Sequence, residues 1–337
     1  MTLDISIGLW DYDRIRPMID GSVKTDGVHI NWVILPPSET IYRMMQFHEF
    51  DVSEVSLSAY VLQSEMENNP FVAIPVFPVR SFRHRSIYIN KESGIKSPED
   101  LKGRIVGTPR YRQTASVWIR GMLSDEYGVK NSDVSFVVGG TNQRENEWKY
   151  WNSKEGGRSR DNKVKIEVMP EGENLSSMLE KGKIDALYSA SEPKCFVQKS
   201  PKVARLFPNY EESEKEYYKK TGIFPIMHVV VIRKNLYEKN RWLAYSLFKS
   251  FLSAKEFLYN EIYNQGGTAA TKYILPWALP DYEKTKELMG DDFWPYGVEK
   301  NRKCLETFIR YSYEQGLARE VKKAETLFAP ETINTFS

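Results

Sequence analysis

Strand-patterned and helix-patterned segments alternate along this chain from its first residues, and that alternation restricts the fold more than any other feature. It favours a sheet with parallel strands and helices on its faces. Leu3 to Leu9 reads as a strand and Val28 to Leu35 as a second. Pro36-Pro37-Ser38 then breaks the chain, and Ser38 is placed to cap a helix with Ile41, Met44, Met45 and His48 at helical spacing. Phe50 to Val55 is a short third strand running into Ser56-Leu57-Ser58-Ala59. The run Ser97-Pro98-Glu99-Asp100-Leu101-Lys102-Gly103 carries an N-cap, a proline in the first turn, two acids and a closing glycine.

The strand Arg104–Thr108 follows, then a helix from Thr114 to Tyr127 with Ala115, Trp118, Ile119 and Met122 on one face and Gly128 at its end. Lys163–Met169, Ile184–Tyr188 and Met227–Ile232 read as strands, and Leu175, Met178 and Leu179 as a short helix. Residues Gly139 to Asn162 read as a polar surface excursion. Helical patterns around Leu243, Leu247, Phe251 and Leu258, and around Leu305, Phe308 and Ile309, dominate the end of the chain.

Bulk properties narrow the function. At 337 residues the chain is long for one compact core and fits two lobes. Forty-seven Lys plus Arg against 45 Asp plus Glu leave a formal charge of +2, which argues against a nucleic-acid partner. Cys195 and Cys304 have no metal-type spacing and read as two free thiols. No apolar run approaches the roughly 20 residues of a membrane span, so no membrane partner is expected. The amino terminus lacks a secretory pattern, and the expected location is cytoplasmic.

The Ser-Pro-Glu-Asp-Leu-Lys-Gly run, followed by a strand and a helix with a polar start, resembles the type 2 periplasmic-binding-protein fold. The resemblance implies an α/β clamshell of two lobes, with a mixed sheet in each and a helical carboxyl-terminal region. It implies crossings between lobes near Arg85–Ile87 and Pro225–Val229. Residues 1–85 with 228–337 would form lobe 1, residues 86–227 lobe 2, and the ligand cleft would lie between them. Several segments narrow it further: Trp10-Asp11-Tyr12-Asp13-Arg14-Ile15-Arg16-Pro17, Phe50 to Ser58, Phe82-Arg83-His84, Trp118-Ile119-Arg120-Gly121, Gly222 to His228 and Asp291 to Gly297. Together they resemble the 4,5-dihydroxyphthalate decarboxylase family. That resemblance implies non-oxidative removal of CO2 from a small anionic aromatic dicarboxylate without a cofactor, first of all 4,5-dihydroxyphthalate to protocatechuate; it also suggests a homo-oligomer, while the sequence by itself leaves a monomer possible. Arg110, Arg112 and Arg85 depart from the family pattern where the ligand should lie, so a related phenolic acid stays open as substrate. A binding or sensor protein for an aromatic acid is the alternative on the same fold, because fold alone does not set function.

Decarboxylating a catechol ring requires a proton for the carboxylate-bearing carbon, a base for the para hydroxyl, and cations for the carboxylates. Arg14 and Arg16 follow the first strand, at the carboxyl end where open α/β sheets bind ligands, and Arg suits bidentate carboxylate capture. Ser53, Glu54 and Ser56 occupy the end of the third strand, with Glu54 placed to accept a phenolic proton. Arg83 and His84 lie at the first crossing and His228 at the second, so both histidines are candidates to face the ligand as proton donors. Arg112, Gln113, Thr114 and Ala115 open the lobe 2 helix, whose free N–H groups suit an anion. Ser189 completes the expected lobe 2 rim. Arg120 reads as a surface or inter-lobe residue. Asp291-Asp292, with Trp294 and Tyr296, reads as a structured loop, and no metal site is supported.

Overall fold

A computed structural model describes residues 2–142, 159–264 and 274–333. Two mixed sheets organise the chain, matching the α/β class read from the pattern. The first contains β1 (Leu3–Leu9), β2 (Val28–Ile34), β3 (Val52–Ser56), β4 (Phe71–Ile74) and β11 (His228–Arg233) in the order β2-β1-β3-β11-β4. β1 is parallel to β2 and β3, while β11 is antiparallel to β3 and β4. The second contains β5 (Ile87–Asn90), β6 (Ile105–Thr108), β7 (Ser135–Val138), β8 (Ile166–Val168), β9 (Ala186–Tyr188) and β10 (Val203–Arg205) in the order β10-β5-β9-β6-β7-β8. The chain therefore passes between sheets twice, after β4 and before β11. The two passages lie side by side, joined by the Arg80–Ile226 bridge and by the Ser81 amide donating to the Pro225 carbonyl at 3.0 Å.

Helices α1 (Arg16–Ile19), α2 (Pro37–Phe47) and α3 (Leu57–Gln63) accompany the first sheet, and α4 (Thr114–Tyr127) and α5 (Leu175–Glu180) the second. α2 begins at Pro37 after Pro36 rather than behind a Ser38 cap, because proline already fixes the first-turn φ and needs no donor there. The Ser97–Gly103 run forms a short 3₁₀ turn, Pro98–Leu101, closed by Asp100 accepting from the Ser97 amide at 2.8 Å. Residues 143–158 of the expected surface excursion lie outside the described residues. Its described ends depart from that reading: Thr141 is buried, and the Arg160 amide donates to the Gly316 carbonyl at 2.9 Å.

The carboxyl-terminal part is helical: α9 (Trp242–Asn264), α10 (Ala278–Met289) and α11 (Arg302–Glu314), after the shorter α6 (Lys194–Val197), α7 (Tyr210–Thr221) and α8 (Lys234–Lys239). α11 docks on α4 of the second sheet. Phe308 and Tyr311 lie 5.3 and 5.6 Å from the Trp118 ring, and Arg310 and the Tyr311 hydroxyl hold Asp125 at 2.6 and 2.7 Å. The tail then returns to the first sheet, where the Ala329 amide donates to the Ala73 carbonyl at 2.8 Å. The interface needs glycine at position 121, since a Cβ there would lie 2.1 Å from the Tyr311 ring.

Candidate functional site

The carboxyl ends of β1 and β3, the start of β11 and the start of α4 converge on one place. Register explains the central contact. Glu54 pairs with Val230 and Ser56 with His228 across the β3–β11 ladder, so Glu54 and His228 project from the same face as diagonal neighbours. His228 Nδ1 lies 2.6 Å from Glu54 Oε2, and Glu54 is fully buried. Two further donors reach that carboxylate from the turn after β1: the Trp10 amide at 3.2 Å, and the Tyr12 hydroxyl at 3.0 and 3.2 Å. The His228 side chain stays 17% exposed, and its Nε2 has no hydrogen-bond partner among the described residues. The arrangement is a histidine with one nitrogen fixed by a buried carboxylate and the other free to exchange a proton with a ligand.

The wall beside this pair is built from the first and last parts of the chain. Arg14 Nε donates to the Pro78 carbonyl at 2.9 Å and Nη1 pairs with Asp13 at 2.9 Å. Its guanidinium carbon lies 4.5 Å from the Tyr12 ring centroid and 4.2 Å from that of Trp294. Trp294 is anchored in turn by its Nε1 donating to the Phe77 carbonyl at 2.9 Å. Arg16 departs from the expectation of a cleft residue. It forms an ion pair with Asp11 and is 63% exposed, because the turn into α1 carries it outward. Ser53 also departs: it is fully buried in β3, and its hydroxyl donates to the Gly8 carbonyl at 3.0 Å across the β1–β3 pair.

Ser56 and Thr114 join the two sheets. Their hydroxyls lie 2.8 Å apart, and the Ser58 amide donates to Thr114 Oγ1 at 3.0 Å. Thr114, Ala115 and Ser116 open α4, and their amides belong to the first turn, which has no intrahelical acceptors. Ala115 is buried and has only this backbone group to offer. The Gln113 side-chain oxygen is buried without a partner. Arg110 and Arg112 are half-buried just before α4, and burial together with the Arg112 charge pushes Arg110 down to about 10.

Arg83 is buried, and its Nε contacts Met227 Sδ at 3.2 Å, one residue from His228. No carboxylate lies within ion-pair distance of it among the described residues. Burial, reinforced by the nearby Arg85 charge, holds Arg83 down at about 10. The Glu214 carboxylate acts on it only through space, without forming an ion pair, so a buried cation of this kind suits a ligand carboxylate.

His84 does not join His228. It is 1% exposed, its ring packs 5.1 and 5.4 Å from Phe207 and Tyr217, and its Nδ1 is buried without a partner. Burial lowers it to about 4, so it is neutral at neutral pH and carries no imidazolium proton to donate. Ser189 is buried, and its hydroxyl donates to the Ser191 carbonyl at 2.7 Å, holding its own loop. Arg120 is inter-element and buried, with Nε donating to Gln315 Oε1 at 2.8 Å. Asp292 pairs with buried Lys255, placing its loop on α9. Tyr12 is the site residue that the sequence reading passed over. Its position three residues beyond β1, at a parallel strand's carboxyl end, was the available signal.

Two sheets crossed twice by the chain, with a polar cluster at their junction, define the periplasmic-binding-protein-like class. The periplasmic sulfonate-binding protein SsuA from Methylobacillus flagellatus KT shares this fold, with a TM-score of 0.55 at 12% identity over 97% of this chain and 91% of that one. The NMT1/THI5 like family model matches residues 55–147. A Comamonas testosteroni protein named 4,5-dihydroxyphthalate decarboxylase is 36% identical over 99% of this chain and 98% of its own length. A Pseudomonas putida protein of the same name is 38% identical over 64% of this chain and 82% of its own. The chain belongs to the 4,5-dihydroxyphthalate decarboxylase family.

Proposed function

We propose that this protein is a carboxy-lyase that converts 4,5-dihydroxyphthalate to protocatechuate, with no cofactor required by the chemistry. The observation that carries the reading is the Glu54–His228 pair with Nε2 left free for a ligand. His228 Nε2 takes the proton of the hydroxyl para to the departing carboxylate, and Glu54 stabilises the imidazolium that results. The phenolate pushes electron density into the ring, and the carboxylate-bearing carbon takes a proton derived from water. The bond to the carboxylate then breaks and its electron pair restores the aromatic ring as the phenolate; CO2 leaves and takes up the hydroxide left by that water as bicarbonate, and the imidazolium of His228 returns its proton to the phenolate. Arg83 holds a substrate carboxylate, and the first-turn amides of α4 with Thr114 receive anionic oxygen from the other side. Arg14, fixed between Tyr12 and Trp294, supplies positive charge to the wall. Arg112 is assigned to the α4 side of the cleft. We place lobe 1 at residues 1–85 with 228–337 and lobe 2 at 86–227, and we assign the protein to the cytoplasm.

The test is direct. EDTA-treated protein is mixed with 4,5-dihydroxyphthalate, and substrate loss and protocatechuate formation are followed by chromatography. Turnover is expected, with Glu54→Gln and His228→Gln lowering kcat by about a hundred- to ten-thousandfold. Arg83→Gln is expected to weaken binding by about ten- to a hundredfold, the worth of one charge-assisted hydrogen bond. Thermal stabilisation by the acid without product would replace the lyase reading with a binding protein. His228→Gln turning over at the native rate would remove the assigned base.

A further inference from the structure

We propose that Tyr12 is a positioning residue that keeps the Glu54–His228 pair in the tautomer with the proton on Nδ1 and Nε2 bare. The inference rests on the assignment of His228 as base. Glu54 is fully buried, and the ionised form of a buried carboxylate depends on donors meeting its oxygens. Three donors do so: the Trp10 amide, the Tyr12 hydroxyl and His228 Nδ1. Among the described residues no Lys or Arg lies within ion-pair distance of Glu54, so hydrogen bonds alone balance its charge.

The direction of the Tyr12 bond is fixed. Burial, then the Glu54 charge, raises the Tyr12 phenol far above its usual range, so the hydroxyl keeps its proton and donates at any working pH. Remove that hydroxyl, and Glu54 keeps only an amide and the imidazole. A proton on Glu54 then becomes favourable. The pair then takes one proton from water onto Glu54, which donates to Nδ1 while the ring's own hydrogen moves to Nε2, and the base is lost without any heavy atom of the pair having moved.

Charged groups approach the cluster from several elements, with Arg85 and Glu214 beside Arg83, and Arg80 and Asp292 beside Tyr296. Arg14 and Asp13 come from the turn after β1, and Arg83 reaches Met227 from the first passage between sheets. Tyr296, buried, faces Arg14 from the loop before α11. Thr114 at the start of α4 brings a hydroxyl that does not titrate.

Protein labelled with 15N-histidine tests the inference without substrate. Among its four histidines, the His228 signal is the one lost in His228→Gln. The native His228 should show a protonated Nδ1 and a bare Nε2, and Tyr12→Phe, its pair having taken up a second proton from water, should show a protonated Nε2 and a bare Nδ1. In the assay, Tyr12→Phe should lower kcat about ten- to a hundredfold, leave KM little changed and move the acid limb of the rate profile to higher pH. Site-specific 3-fluorotyrosine at position 12, which preserves the ring and strengthens the donor, should move that limb to lower pH and stands in if Tyr12→Phe does not fold. A bare Nε2 persisting in Tyr12→Phe, or a loss equal at every pH, overturns the proposal. Absence of turnover on 4,5-dihydroxyphthalate would count against the proposed reaction alone, because the tautomer is read on the free protein.

Discussion

At the scale of single residues, the contrast between the two candidate histidines shows what neighbours decide. His228 sits beside a carboxylate with a free nitrogen, whereas His84 is enclosed by Phe207 and Tyr217. Burial of His84 has a consequence for stability. Its proton affinity falls from the ordinary 6.5 to about 4 on folding, so the unfolded chain binds a proton over that interval that the folded one refuses. The contribution is complete above about pH 6.5 and is lost progressively as pH falls toward 4, by up to about 3 kcal/mol. Urea unfolding of native protein and His84→Gln between pH 7 and 4 should therefore give curves that converge on acidification. Parallel curves would mean that His84 is solvated. The placement of Glu54, Arg83, Thr114 and His228 near strand ends and crossings was legible from the chain. The outward turn of Arg16, the inward hydroxyl of Ser53 and the enclosure of His84 were not, because each depends on a partner from a distant segment.

Among the elements, those with strong internal patterning came through the sequence reading. α4 runs over Thr114–Tyr127 as its spacing and closing glycine indicated, and β1 and the long α9 and α11 stand where apolar periodicity put them. The strands β4, β5, β7 and β10 span three or four residues each, too few for a period to establish itself, and pairing with neighbours defines them instead. β8 is likewise shorter than the alternation over Lys163–Met169 implied, covering only Ile166–Val168. The polar start of α7 hid a helix of which Tyr217 is the buried residue. Gly121 allows a test of the α4–α11 contact. Gly121→Ala directs a methyl into the Tyr311 ring, and overpacking of this kind costs about 1–3 kcal/mol. Chemical denaturation should show that loss, and a variant as stable as the native protein would mean that the two helices part readily.

On the scale of the whole molecule, α11 ties the sheets together through Asp125, while Ser56 and Thr114 join them beside the Glu54–His228 pair. The Trp118 Nε1 donates to the Ile226 carbonyl at 2.9 Å, adding a tie at the second passage. A clamshell fastened on both sides has little freedom to swing. Small-angle scattering with and without an aromatic dicarboxylate should therefore give closely similar radii of gyration, and marked compaction on binding would show that the ties release. The same docking bears on how the protein could be divided. A fragment spanning 86–227 would carry every strand of the second sheet, yet expose Trp118 and leave Asp125 and Arg120 without Arg310, Tyr311 and Gln315. The carboxyl-terminal helix behaves toward that fragment as a tethered peptide ligand. Cut loose, the two pieces should find each other again, which makes this chain a natural candidate for a split-protein reporter.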